Sequence, residues 1–146
     1  MAETLEQYAK RIRKYTVDRQ RKDILKIVGK HEDQLVDANT LQLMDGKDSN
    51  DEPLAPYRDK NYAELKLHLN PKGVTDLNLT GDFHKSFFVR VDKFPISIWA
   101  KDAKTNKLVG EYGEDIFGVS KRNLERVKEQ GINQDIESYY DFLRVQ

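Results

Sequence analysis

One stretch constrains this chain more than any other: Leu77 to Ala100, LNLTGDFHKSFFVRVDKFPISIWA, where apolar and aromatic residues are dense and the hydrophobic period changes. Phe83 and Phe87 stand four apart, as on one side of a short helical turn. Strand-like alternation follows, with Val89 and Val91 on one face and Arg90 and Asp92 on the other. Ile96 and Ile98 repeat it, with Ser97 and Trp99 opposite. Pro95 removes a ladder donor, so the hairpin turn around Asp92 to Pro95 is predicted to be longer than two residues. Thr80-Gly81-Asp82 reads as a turn that offers a capping oxygen to the helical piece.

The rest of the chain is mostly helical in pattern. Thr4 and Gln7 match a capping box, followed by Leu5, Tyr8, Ile12 and Tyr15 at helical spacing. Ile24, Ile27, Val28 and Leu35 form a second apolar set, weakened by Gly29. Between them TVDRQRKD is polar almost all round, which predicts either two helices or one long helix within 4–36 whose middle spans solvent or a partner. Asn39 to Met44 reads as a short strand with Leu41 and Leu43 on one side. Asp45 to Pro56 reads as a loop, and Tyr57 to Leu69 as a helix with Tyr62, Leu65 and Leu69 inward and His68 packed beside them. Lys101 to Lys107 is predicted to be a polar loop, and Leu108 to Gly118 a short helical turn or tight loop that pins aromatics onto the sheet. Ser120 is a candidate N-cap for a helix from Lys121 to Gln130, with Gly131 at C′. A last helix, Gln134 to Val145, carries Ile136, Tyr139, Tyr140 and Leu143 on one stripe. The expected class is α+β: a small antiparallel sheet packed with several helices, with a long charged N-terminal helix. No linker divides the 146 residues, so one domain is expected: a helical region 4–36, a sheet-containing core 39–118 and C-terminal helices 120–146.

Composition narrows the function classes. Lys+Arg 25 balances Asp+Glu 25, where a general nucleic-acid binder carries a basic excess. Cysteine is absent, which excludes disulfides, thiolate metal sites and Cys nucleophiles. No apolar run reaches 18 residues and the N-terminus is charged from its third residue, so neither a membrane span nor a signal peptide is expected. His31, His68 and His84 lie too far apart for a His-x-x-x-His pair on one helix. The acidic loop fails the EF-hand pattern, because a start at Asp48 puts Pro53 where glycine is required and a start at Asp45 puts Lys47 at a ligand position. Asp82, His84 and Ser86 crowd together, but neighbours on one turn do not converge as a triad and no Gly-x-Ser-x-Gly elbow supports the serine. Carboxylate pairs such as Glu111/Glu114 and Glu114/Asp115 are expected by chance in so charged a chain. No enzyme, cofactor or metal role is expected.

Tyr 7, Phe 6 and Trp 1 on a modest aliphatic core either fill that core or anchor an interface. Trp99 faces away from Ile96 and Ile98, so either a helix covers it or another subunit does. The cluster of Lys10, Arg11, Arg13, Lys14, Arg19, Arg21 and Lys22 reads as a solvated helix face or as an electropositive strip against an acidic neighbour or a nucleic-acid backbone. Trp99, Phe87, Phe88, Arg90, Arg11, Arg19, Tyr139 and Tyr140 are therefore the candidate interface residues.

Four segments read together, QLMDGKDSNDEPLAPY, YAELKLHLN, DLNLTGDFHKSFFVRVD and KLVGEYGEDIFGVS, across roughly Leu41 to Ser120. They resemble small virion proteins of tailed bacteriophages, particularly those infecting gut Bacteroides-type hosts (crAss-like phages). Thr80-Gly81, Phe83 and Ser86 are similar to the TG-L-x-x-S signature of tail-completion and head–tail connector proteins, with phenylalanine in place of leucine. The resemblance implies a neck subunit that forms a ring with itself around the DNA exit channel. It would lie beside the portal and other neck or tail proteins, in virions assembled in the host cytoplasm, near packaged DNA without reading its sequence. The competing expectation is a binding module that meets nucleic acid or a protein through the basic N-terminal helix.

Overall fold

The computed structural model describes residues 2–14, 17–78, 81–92 and 95–145, the side chains of residues 14 and 143–145 excepted. It is α+β and helix-rich, with one two-stranded antiparallel sheet. Three helices come first: α1 (Leu5–Lys14), α2 (Val17–Gly29) and α3 (Glu32–Met44). The predicted capping box is present and reciprocal: Gln7 N donates to Thr4 Oγ1 at 3.1 Å, and Thr4 N donates to Gln7 Oε1 at 3.0 Å. Tyr15, placed on the α1 stripe by its spacing, lies outside the described residues, as do Leu79 and Thr80 of the central stretch.

The strand expected at Asn39 to Met44 is the second half of α3. Leu41 and Leu43 alternate as strand residues do, but the buried positions are Leu35, Asn39, Gln42 and Leu43, at i, i+4, i+7 and i+8 of one helix face. Leu41 points outward and is 62% exposed. Two of the four inward residues are polar, so the inward face left no hydrophobic stripe to read.

After the loop, α4 (Lys60–Leu69) starts at Asp59, whose carboxylate accepts from Asn61 N at 2.8 Å and Tyr62 N at 3.1 Å. Of its expected stripe only Tyr62 is inward. Leu65 and Leu69 are exposed, His68 is exposed rather than packed, and Lys66 is the buried residue. The turn α5 (Asp82–Lys85) follows Gly81, which takes the left-handed conformation (φ 84°) that glycine adopts without strain. It delivers the chain into β1 (Phe87–Arg90), which pairs with β2 (Ser97–Ala100) in the register Phe87↔Ala100, Phe88↔Trp99, Val89↔Ile98 and Arg90↔Ser97. The connection is longer than two residues, as Pro95 requires.

The inward residues Phe87, Val89, Ile98 and Ala100 join Leu43, Phe83, Ile116 and Phe117 in the core. Phe83 meets Phe87 edge-on with ring centroids 4.9 Å apart, and Phe117 packs on Phe87 at 5.4 Å and on Trp99 at 4.8 Å. The polar loop expected to reach Lys107 ends earlier, because α6 (Thr105–Tyr112) begins once Thr105 Oγ1 donates back to Asp102 O at 2.6 Å. A short 3₁₀ turn, Glu114–Ile116, then sets Phe117 against the sheet, as the glycine-flanked segment predicted.

Ser120 Oγ accepts from Asn123 N and caps α7 (Lys121–Val127). Helical backbone runs on past Val127 until Gly131, whose φ of 152° breaks it where the C′ residue was expected, and α8 (Asn133–Val145) follows at once, with the His31 ring beside Gly131. Leu143, placed on the α8 stripe by its spacing, has no described side chain.

Candidate functional site

Beneath the segment that leads into α5 lies a buried polar network. Lys66 Nζ meets Asp76 Oδ1 at 2.7 Å, with the two side chains 4% and 5% exposed, and also donates to Asn78 O. Asp76 accepts from Asn78 N at 2.9 Å, Asn70 Nδ2 at 2.9 Å and the Tyr57 hydroxyl at 3.2 Å. The Tyr57 oxygen in turn accepts from Leu77 N at 3.3 Å, where Leu77 is held in the left-handed region at φ 57°. His84 Nε2–H donates to Asp76 O at 2.9 Å. Burial opposes the Asp76 carboxylate, but the Lys66 ammonium and the Asn78 and Asn70 donors outweigh it and hold its pKa below the usual value. Burial, aided by the Lys66 charge, lowers the His84 pKa against the pull of Asp76. Burial and then Asp76 raise the Tyr57 pKa.

Above this network a cleft of about 490 Å³ has walls of Tyr57, Tyr62, Leu77, Phe83, Leu108 and Tyr112 and a rim that includes Arg58, Lys104, Lys107 and Glu111. The charged atoms of Lys66 and Asp76 do not line it; they lie behind its aromatic wall and fix the loop that forms it. Asp82, His84 and Ser86 are not arranged as a triad. His84 is committed to Asp76 O, Ser86 Oγ donates to Phe83 O at 2.7 Å, and Asp82 is exposed. Asp115 binds the acidic loop instead: its carbonyl accepts from Ser49 N at 2.8 Å and its carboxylate from Asn50 Nδ2 at 3.2 Å. Within that loop Asp48 Oδ1 accepts from Asn50 N and Glu52 N, at 2.8 and 3.0 Å. Among the described residues no group of three His, Asp or Glu side chains is placed to hold a metal ion, and no helix is long and apolar enough to cross a membrane.

The candidate interface residues fall into three places. On the outward face of the hairpin Phe88 stands opposite Trp99; the Arg90 guanidinium lies 4.8 Å from the Trp99 ring centre and Lys101 Nζ 5.2 Å from that of Phe88. Trp99 is thus mostly covered, in part by Phe117 of its own chain, and partly exposed. Phe87 is on the other face, 7% exposed in the core, and is unavailable to a neighbour; the pleat puts it with Val89. Arg11 forks onto Glu3 with contacts of 2.9 and 2.8 Å and lies over the Tyr8 ring, while Arg19 is exposed on α2. On α8 the Tyr139 hydroxyl donates to Asp23 Oδ2 at 2.8 Å, which ties α8 to α2, and Tyr140 is 40% exposed. The structure does not bring the three sets together.

Lys66, Asp76, Asn39 and Gln42 carry most of the interior hydrogen bonding, and their sequence signal was weak. Tyr62, Lys66 and Asn70 stand at i, i+4 and i+8, a polar row on the inward side of α4. Asn39 Nδ2 donates to Ile116 O and its Oδ1 accepts from Gly118 N, both at 3.0 Å. Gln42 continues this seam, accepting from Ser120 N at 2.9 Å.

These features define a helix-rich α+β chain with a polar-pinned interior and several apolar outward faces. No protein-family model, curated protein or solved structure matches it.

Proposed function

We propose that this chain is a structural subunit of an oligomeric assembly, and specifically of the neck or connector ring that joins head to tail in a tailed bacteriophage. The observation that carries the assembly reading is the distribution of exposed apolar side chains over separate elements. Leu5, Tyr8 and Ile12 on α1 are 88%, 47% and 51% exposed, Leu65, Leu67 and Leu69 on α4 about half, and Phe88 and Trp99 on the hairpin are partly exposed. Single exposed leucines are ordinary; runs of them on several faces suit a subunit with neighbours on more than one side. The neck assignment rests on the resemblance carried by the segments from Leu41 to Ser120. Equal numbers of acidic and basic residues support it, since they allow dense packing without self-repulsion.

Mass spectrometry and imaging of purified virions test this directly, with the chain expected in mature particles at the neck. Its absence from particles overturns the neck assignment. A gel shift at ~150 mM salt separates the competing class: a module that binds nucleic acid through α1 and α2 gives a shift that falls steeply with salt, and a neck subunit gives none.

A further inference from the structure

Two surfaces of this chain carry oppositely charged residues in the same order and at similar backbone spacing. The first is the outward face of the hairpin. Lys101 N donates to Ser86 O at 3.1 Å, so the register runs one pair beyond β1 and β2 and places Lys101 opposite Ser86. Along that face Arg90 and Lys101 stand at opposite ends, two double steps apart, or about 13 Å at the rise of a strand. The Phe88–Trp99 pair lies between them. Each cation rests on one of these rings, and neither is paired with a carboxylate among the described residues.

The second surface is the outward side of α3. Asp37, Leu41 and Asp45 follow at i, i+4 and i+8, so the two carboxylates are separated by about 12 Å of helix with an apolar residue midway. Leu41 is 62% exposed and Met44 beside it 41%. Asp37 is exposed, and Asp45 holds only a surface pair with Lys72, at 3.0 Å with both side chains about two-thirds exposed, which is weak enough to exchange. The opposite side of α3 is inside: Leu35 and Leu43 are in the core, and Glu32 Oε1 accepts from Val89 N at the edge of β1. The side with Asp37, Leu41 and Asp45 borders a groove against α7, where Arg122 is paired with Asp51 at 3.5 Å and Arg126 and Lys47 also stand.

We propose that these surfaces are the two halves of a head-to-tail contact between copies of this chain. The hairpin of one copy seats on α3 of the next, with the two cations over the two carboxylates and Phe88 and Trp99 on Leu41 and Met44. Aromatic and thioether groups suit the dry centre of such a contact, and charges at its ends fix its register. The two halves are different surfaces, so every bound copy presents a fresh face at each end, and the series closes into a ring when the rotation allows. The contact deepens the assembly reading above and rests on it.

The test uses the full chain, two double charge reversals and sedimentation velocity across a concentration series. Arg90→Glu/Lys101→Glu spoils the hairpin half and Asp37→Arg/Asp45→Arg the α3 half; all four positions are exposed, and circular dichroism checks the fold. The wild type is expected to form oligomers, and each variant alone to self-associate more weakly by roughly a hundredfold or more, since like charges placed face to face cost several kcal/mol. Mixed one to one, the variants are expected to recover oligomers in which the two alternate, because the reversed hairpin of one meets the reversed α3 of the other and their native faces meet likewise. Variants that assemble like the wild type, or a mixture that stays monomeric, overturn the contact and leave the neck assignment standing. A wild type that is monomeric at every concentration overturns the contact too, as happens if the hairpin face serves a different protein. A chain that assembles as described but is absent from virions sinks the neck assignment alone.

Discussion

Replacing Lys66 by methionine is the sharpest perturbation of the interior. The side chain keeps its length and much of its volume, so packing along α4 changes little, but the Asp76 carboxylate loses the ammonium 2.7 Å away. Asp76 is 3% exposed, and a buried charge left without its partner costs about 3–5 kcal/mol. Its remaining donors, Asn70, Asn78 N and Tyr57, soften that figure without removing it. The double variant Lys66→Met/Asp76→Asn keeps an acceptor for Asn78 N and removes the stranded charge, so it should recover roughly half of the loss or more. Urea unfolding followed by far-ultraviolet circular dichroism and by the fluorescence of Trp99, the chain's single tryptophan, measures both variants by linear extrapolation. The pH dependence supplies a second signature. In the wild type the Asp76 pKa is depressed, so its contribution is present above the unfolded carboxylate value of 3.8 and is lost as pH falls through the folded one. In Lys66→Met protonation relieves the stranded carboxylate, so the deficit relative to wild type should shrink as pH is lowered. A single variant within about 1 kcal/mol of wild type, or a double variant no better than the single, refutes the view that this pair is held by mutual dependence.

Three further outcomes follow from the same geometry. The His84 pKa is lowered in the fold, so the unfolded chain binds the extra proton first and stability falls as pH drops below 6.5, by up to about 1.4 kcal/mol per pH unit; His84→Gln should flatten that slope in urea titrations between neutral and mildly acidic pH. Gly131→Ala should destabilise by roughly 1–3 kcal/mol in thermal melts, because the backbone is at φ 152° and the new methyl would lie 2.8 Å from His31 Cε1. Asn39→Leu should cost about 2–4 kcal/mol by leaving Ile116 O and Gly118 N without partners in a site that is 0% exposed, and amide exchange at Gly118 should accelerate.

What was legible in the sequence was local. The passage from Phe83 and Phe87 on one turn into the alternation of Val89 and Ile98 needs only neighbours along the chain, and it matches α5, β1 and β2. The caps at Thr4 and Ser120 are equally local, and both are present. The misreadings share one cause. At Asn39 to Met44 and at Tyr57 to Leu69 the inward face includes two amides and a lysine, so hydrophobic pattern missed them and grouped Leu41, Leu65 and Leu69, which point out, with the inward residues. Asn39, Gln42 and Lys66 are buried only because carbonyls, N–H groups and a carboxylate from segments up to 79 residues away meet them. Such partners are not visible along the chain. The same limit applies to the surface: the alternation set Trp99 outward, but only the register took Phe87 from the candidate interface into the core with Val89, and put Phe88 opposite Trp99 and Lys101 beyond them.

Those misreadings bear on what the surface is for. A monomer that relied on leucines for its core would have turned Leu65, Leu69 and Leu41 inward; here polar seams fix the segments around Asp76 and Gly118, and the leucines stay outside. Hydrogen bonds at fixed distances hold a loop in one position more strictly than apolar contacts, which tolerate sliding and repacking. In the proposed assembly, apolar groups outside supply a non-directional pull between copies, which does nothing for the isolated chain and grows with the area buried at a contact. The charges beside them, Asp37 and Asp45 on α3 and Arg90 and Lys101 on the hairpin, limit the alignments in which that pull can be satisfied. Interior polarity and exterior apolarity are in this view two sides of one requirement: each copy must present the same rigid face, so that many copies can meet in the same way.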